Sequence, residues 1–166
     1  MQEQIMIPLH NQNGSIVGYK DIKDVNYKID ILKVVNIILV DESNKVFISK
    51  VRDDVWKDGW GSSAVGLVRK DESSIDAARR ILKSYFHISA EDLMFIEESY
   101  YDLNGIKRVN SIFYARTNTE PILNPNYILD GTWVDLEEIK IMMKKDMFNP
   151  QFLVAFHSIK SIIYFL

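Results

Sequence analysis

The chain of 166 residues contains no cysteine. That absence excludes a disulfide framework, a thiolate zinc site and a cysteine nucleophile. Glycine and proline are scarce, with 7 and 4 copies, so no Gly/Ser-rich or Pro-rich linker divides the chain, and a single domain is expected. Long apolar runs are missing too. The C-terminal "SIIYFL" falls far short of the ~20 residues that span a bilayer. With no cysteine the cytoplasm is the expected location, and the opening "MQEQIMIPLH" lacks the basic start and apolar core of a secretory signal. Excess positive charge is absent as well. A net charge of -3 and a pI of about 5.6 give no general drive toward nucleic acid or an anionic membrane, and neither is expected as a partner.

What the chain does have is an ordinary globular composition, 47% hydrophobic and 26% charged, and enough length for a real core. "IMIPLHNQNGSIVGYKDI" reads as two short strands around a turn at Asn11-Gln12-Asn13-Gly14, because Asn-Gly favours hairpin turns. This hairpin, within residues 1–30, is an N-terminal extension of the domain. Val34 to Val40 is almost continuously apolar, as in a strand buried on both faces, and Val46 to Val51 alternates. Ile75, Ala78, Leu82 and Phe86 follow the three-and-four spacing of a buried helical stripe and predict a helix over Ser74 to Phe86. Asp92 to Arg116 reads as a hairpin turning at Asn104-Gly105, and a helix begins near Asp135. Pro150 suits the first turn of a last helix, whose Phe152, Phe156, Ile159 and Ile163 are read as core. The order predicts an α/β domain, a mixed sheet with helices on its faces.

The stretch "GLVRKDESSIDAARRILKSYFHI", Gly66 to Ile88, combines a loop glycine, an acidic helix entry and an arginine pair. Glu72 follows Gly66 after five residues, and Arg80 follows Glu72 after seven. This spacing, with Leu82 and Ile88 at two aliphatic positions, resembles the signature of the Nudix hydrolases of diphosphate-linked compounds. "FISKVRDDVWKDGWGSSAVG" and "GTWVDLEEI" resemble the flanks of that signature. "NQNGSIVGYKDI" is similar to the opening of the branch that includes isopentenyl-diphosphate isomerase. The resemblance implies an α/β/α sandwich over most of the chain. It also implies that Glu72 and Arg80 brace the loop-helix-loop.

The departures from that pattern carry the functional reading. Three glutamates in the family hold divalent cations, usually magnesium; Ile81, Ser84 and Tyr85 stand at those positions. Residues so spaced share one helix face, so the loss is a single patch. Isoleucine has no ligand atom, serine offers a neutral oxygen, and protonated tyrosine is a poor ligand for a hard cation. No cofactor is therefore expected, and no metal on this helix. His87 replaces the glycine that would end the helix, in a conformation histidine tolerates.

Candidate ligand contacts are Arg52, Trp60, Gly66 and Glu98, with Lys57 read as a solvated loop residue. Glu97 and Glu98 lie on a strand, so one points to each face. His10, His87 and His157 show no ligand spacing, and Asp76 and Glu91 read as solvated charges. The expectation is a Nudix-like protein without metal-dependent hydrolysis, acting by binding a nucleotide-like small molecule or a protein partner. The exposed side of the last helix offers a homodimer contact. Two rivals remain. One is a diphosphatase with relocated ligands such as Glu98, using magnesium. The other is an isomerase, disfavoured because that enzyme uses a cysteine.

Overall fold

A computed structural model describes residues 3–52, 55–56, 59–89 and 92–165. Lys57 and Glu91 lie outside the described residues. Strand β3 (Leu32–Val40) is the centre of an eight-stranded mixed sheet. Its neighbour β7 (Ile106–Arg116) runs parallel to it over the whole strand, from Leu32↔Arg108 to Val40↔Arg116. The other edge of β3 is shared by three antiparallel strands. β1 (Met6–His10) touches it at Leu9↔Leu32, β5 (Ala64–Leu67) pairs from Val34↔Leu67 to Ile37↔Ala64, and β4 (Val46–Val51) joins at Val40↔Val46. β2 (Ile16–Asp21) completes the first hairpin, β6 (Leu93–Leu103) pairs with β7, and β8 (Ile128–Val134) pairs with β4. The hairpin of residues 6–21 is thus joined to the main sheet through β1.

Two hydrophobic cores cover the two faces of this sheet. Val35, Ile37 and Leu39 point toward α1 (Ser74–Phe86), while Ile38 and Val40 point toward α3 (Pro150–Phe165). That explains why β3 is apolar at successive positions: every other residue enters a different core. β4 behaves likewise at its start. Val46, Phe47, Ile48 and Ser49 are all buried, so its alternation in sequence does not mark a solvent face. Phe47 enters the α1 core, and Val46 and Ile48 the other.

Helix α1 is bounded by local chemistry. The Ser73 side chain accepts a hydrogen bond from the Asp76 amide at 3.2 Å, a normal N-cap. At the other end His87 adopts the left-handed conformation (φ 56, ψ 34), and the Ile88 amide reaches back to the Leu82 carbonyl. The buried face is broader than a single stripe: Ala77, Ala78, Ile81, Leu82 and Phe86 are buried, and Ile75 is half-buried against them. α2 (Leu136–Lys144) starts at the Asp135 cap and buries Ile139. α3 starts at Pro150 beside Asn149, whose Oδ1 accepts from the Phe152 amide, and it buries Phe152, Phe156, Ile159 and Ile163. Among the described residues no helix is long and apolar enough to cross a membrane.

Both hairpin turns use asparagine and glycine, in different ways. At Asn104-Gly105 both residues take positive φ (56 and 89), as a two-residue primed turn requires. At the first hairpin only Gly14 does. There Asn11 makes the turn, its Oδ1 accepting from the Asn13 and Ser15 amides.

Candidate functional site

Strand β5 leads through a tight loop into α1, and the loop is held by one carboxylate. Glu72 Oε2 accepts from Arg80 Nε at 2.8 Å and its Oε1 from Arg80 Nη2 at 2.9 Å. The Arg69 amide donates to the same Oε1, and Arg80 Nη2 also donates to the Leu67 carbonyl at 2.8 Å. Partial burial pushes the Glu72 pKa up, but the bonds from Arg80 and the Arg69 amide, with the charges of both arginines, outweigh it and leave it below its ordinary 4.5. Strand end, loop and helix are therefore one bonded unit.

The face of α1 beside this unit carries Ile81, Ser84 and Tyr85. Ile81 is 1% exposed and belongs to the α1 core. A Cβ placed on Gly66 would stand 2.5 Å from Ile81 Cδ1 and 3.3 Å from the Tyr85 hydroxyl. The glycine is therefore needed for these two side chains to pack on β5. The Tyr85 hydroxyl donates to the Val65 carbonyl at 3.2 Å, and its ring stacks on Tyr127, centroids 4.5 Å apart at 13°. The Ser84 carbonyl accepts from Asn124 Nδ2. This face does not fit magnesium. Its three side chains offer no carboxylate, and of its two hydroxyls one is bonded to backbone. Among the described residues no group of three or more His, Cys, Asp or Glu is placed to hold a metal ion.

Beside that face, along Val65, Gly66 and Leu67 of β5, lies a cavity of about 390 Å³. Arg52, Gly66, Arg80, Ser84 and Tyr85 all line it. Trp60 and Glu98 do not. Trp60 packs against the α3 core and forms a bridge to Phe148, with Lys50 Nζ 4.8 Å from its ring centroid. Glu98 lies on the α1 side of β6, bonded to Lys33 Nζ at 2.8 Å and to the Ser111 hydroxyl at 2.9 Å. Partial burial raises its pKa, but Lys33, Ser111 and the charge of His10 together bring it below 4.5. Glu97 takes the opposite face and accepts from Ser158 of α3.

Several further residues line the cavity that the sequence does not mark as ligand contacts. Arg69, Arg108, Trp56 and Tyr127 are among them. Arg69 lies inside the signature loop, where the spacing draws attention to Glu72 and Arg80 instead. Arg108 stands out as a charged residue at the head of an uncharged run, 109–115, that is buried throughout. It is 4% exposed, and its guanidinium donates to the carbonyls of Tyr27, Asp30 and Lys107.

The comparisons agree with this geometry. Residues 31–155 match the NUDIX domain family. The chain is 22% identical over 151 residues to isopentenyl-diphosphate Delta-isomerase 2 of Aromatoleum aromaticum, covering 87% of this chain and 79% of that one. It superposes on DR0079 of Deinococcus radiodurans with a TM-score of 0.78 at 17% identity, over 92% of this chain and 98% of that one. The NUDIX domain of Shewanella oneidensis NrtR, solved in complex with ADP-ribose, gives a TM-score of 0.65 at 15% identity, over 87% and 94%. Structural likenesses at such identities speak to the fold alone. With Glu72 and Arg80 bonded across the loop after Gly66 and three quarters of the sequence matched, the chain belongs to the Nudix family.

Proposed function

We propose that this protein binds a nucleotide-like ligand in the cavity beside α1 and does not hydrolyse it with a metal held on that helix. The observation that carries the reading is Ile81, which is 1% exposed and packed against Gly66 where the family signature has a glutamate. A metal in such a site neutralises charge on the diphosphate and activates the attacking water. None of the side chains on this face replaces either contribution. Their loss is worth several kcal/mol of barrier, and each 1.36 kcal/mol is about tenfold in rate. The cavity remains, with aromatic and arginine side chains on its walls.

The rival reading is hydrolysis through relocated ligands. It would draw on Glu98, whose carboxylate is bonded to Lys33 and Ser111 and does not line the cavity.

ADP-ribose, the ligand of the NrtR domain, is the first probe. Calorimetry should detect its binding, and phosphorus NMR in millimolar magnesium should show it intact afterwards. Stoichiometric turnover dependent on magnesium or manganese would overturn the proposal.

A further inference from the structure

The four arginines of the cavity and the missing carboxylates of α1 bear on the same question: what balances the charge of a ligand's phosphates. We propose that the cavity takes a diphosphate ester through arginine alone, with Arg69 and Arg52 standing in for a metal ion. This rests on the reading of the cavity as a ligand site.

Arg52, Arg69, Arg80 and Arg108 line the cavity, and no Asp or Glu does among the described residues. Their roles differ. Arg80 spends its bonds on Glu72 and Leu67, so it braces the loop. Arg108 is fixed by three backbone carbonyls. Arg69 and Arg52 have donors to give. The Arg69 guanidinium makes no hydrogen bond among the described residues, although its charge acts on Glu72. Among the described residues the Arg52 guanidinium donates through Nε alone, to the Pro125 carbonyl at 2.7 Å, which anchors the side chain with its terminal nitrogens available to a ligand. Glu72 is the carboxylate that pairs with Arg80.

A cavity with a surplus of guanidinium and no carboxylate repels cations and attracts anions. Planar guanidinium groups suit phosphate because two parallel N–H donors meet two oxygens. The rest of the wall selects for an ester over a free anion. Ile7, Val34, Val65 and Leu67 are apolar, and the stacked Tyr85–Tyr127 pair presents aromatic surface. The organic part of the ligand would lie there, gaining stacking or apolar burial. A nucleoside diphosphate derivative and a short apolar diphosphate both satisfy this chemistry.

Calorimetry on the full chain tests the inference with three probes: ADP-ribose, isopentenyl diphosphate and inorganic diphosphate. Each is titrated in EDTA and in excess magnesium. At least one of the two esters should bind more tightly than inorganic diphosphate. Its affinity in EDTA should equal or exceed that in magnesium, and it should weaken with added salt as an ion-paired contact does. Arg69→Ala should lower that affinity by about tenfold or more, Arg69→Lys should retain part of it, and neither should move the melting temperature by more than about 2 °C. The ester that binds identifies the organic part. Binding that appears only with magnesium, binding unaffected by Arg69→Ala, or no binding by any probe would overturn the arginine clamp. Magnesium-dependent binding of an intact ligand would leave the proposed binding function standing, whereas hydrolysis of the ligand would defeat that function itself.

Discussion

Ile81 Cδ1 lies 2.5 Å from the point where a Cβ on Gly66 would stand. The two residues are complementary: the helix carries an isoleucine because the strand offers no side chain opposite it. Gly66→Ala should therefore destabilise the fold by roughly 1–3 kcal/mol through overpacking. Ile81→Val removes Cδ1 and alone costs about 0.5–1.5 kcal/mol. The double variant should lose less than the sum of the two, measured by urea unfolding of all four proteins. Strict additivity would mean that the two side chains do not press on each other.

Restoring the family's carboxylates makes a complementary test. Glutamate at Ile81, Ser84 and Tyr85 together places three like charges on one helix face and removes the buried Ile81 and the stacked Tyr85. The cost should reach a few kcal/mol and appear as a lower melting temperature. Magnesium should recover part of it by binding the folded state alone. The parent should not respond. A folded triple variant indifferent to magnesium would show that this face is not a vacated metal site.

Acid stability should report the Glu72–Arg80 unit. Glu72 has a folded pKa below its ordinary 4.5. Its contribution is therefore fully present above the unfolded value and is lost as pH falls from there through the folded value. Glu98 acts in the same direction. Melting temperature should fall below about pH 4.5 in the parent, and Glu72→Gln should be less stable at neutral pH but with a shallower acid limb. An unchanged acid limb would place the acid-sensitive groups elsewhere.

Much of this architecture is written locally in the sequence. Ser73, the apolar spacing to Phe86 and the left-handed His87 mark α1 from end to end, because capping and burial period depend on neighbours in the chain. Asn104-Gly105 fixes its hairpin for the same reason. The cavity is different. Arg69, Arg108 and Tyr127 meet there because the segment before β8 folds back onto α1, through bonds such as the Asn124 amide to the Tyr85 carbonyl, and because β7 lies beside β3. The loop's place in the chain points to Trp60 as a ligand contact, whereas Trp56 is the tryptophan that lines the cavity. A loop of that length gives no periodicity to choose between the two. The lack of carboxylates at Ile81, Ser84 and Tyr85 is legible in the sequence, but the burial of Ile81 in the α1 core depends on packing across the fold.

Asn36 offers a stability test apart from the cavity. It is fully buried on β3, and both atoms of its amide lack a partner among the described residues, as do those of Asn110 on β7. Its neighbours across the sheet are Val65 and Ile112. An unsatisfied buried amide costs about 1–3 kcal/mol, so Asn36→Leu, close in size, should raise stability by about 1 kcal/mol. A loss of more than about 1 kcal/mol in urea unfolding would show that the amide is satisfied in solution.

The most direct test of the central claim is an assay for diphosphate cleavage by the unmodified protein. The purified chain, freed of metal and then supplied with millimolar magnesium or manganese, is incubated with ADP-ribose and with isopentenyl diphosphate, and the phosphorus signals are followed by NMR. The account predicts no cleavage above the protein-free blank with either metal, together with ligand binding that persists in EDTA. Metal-dependent turnover that scales with protein concentration would contradict it.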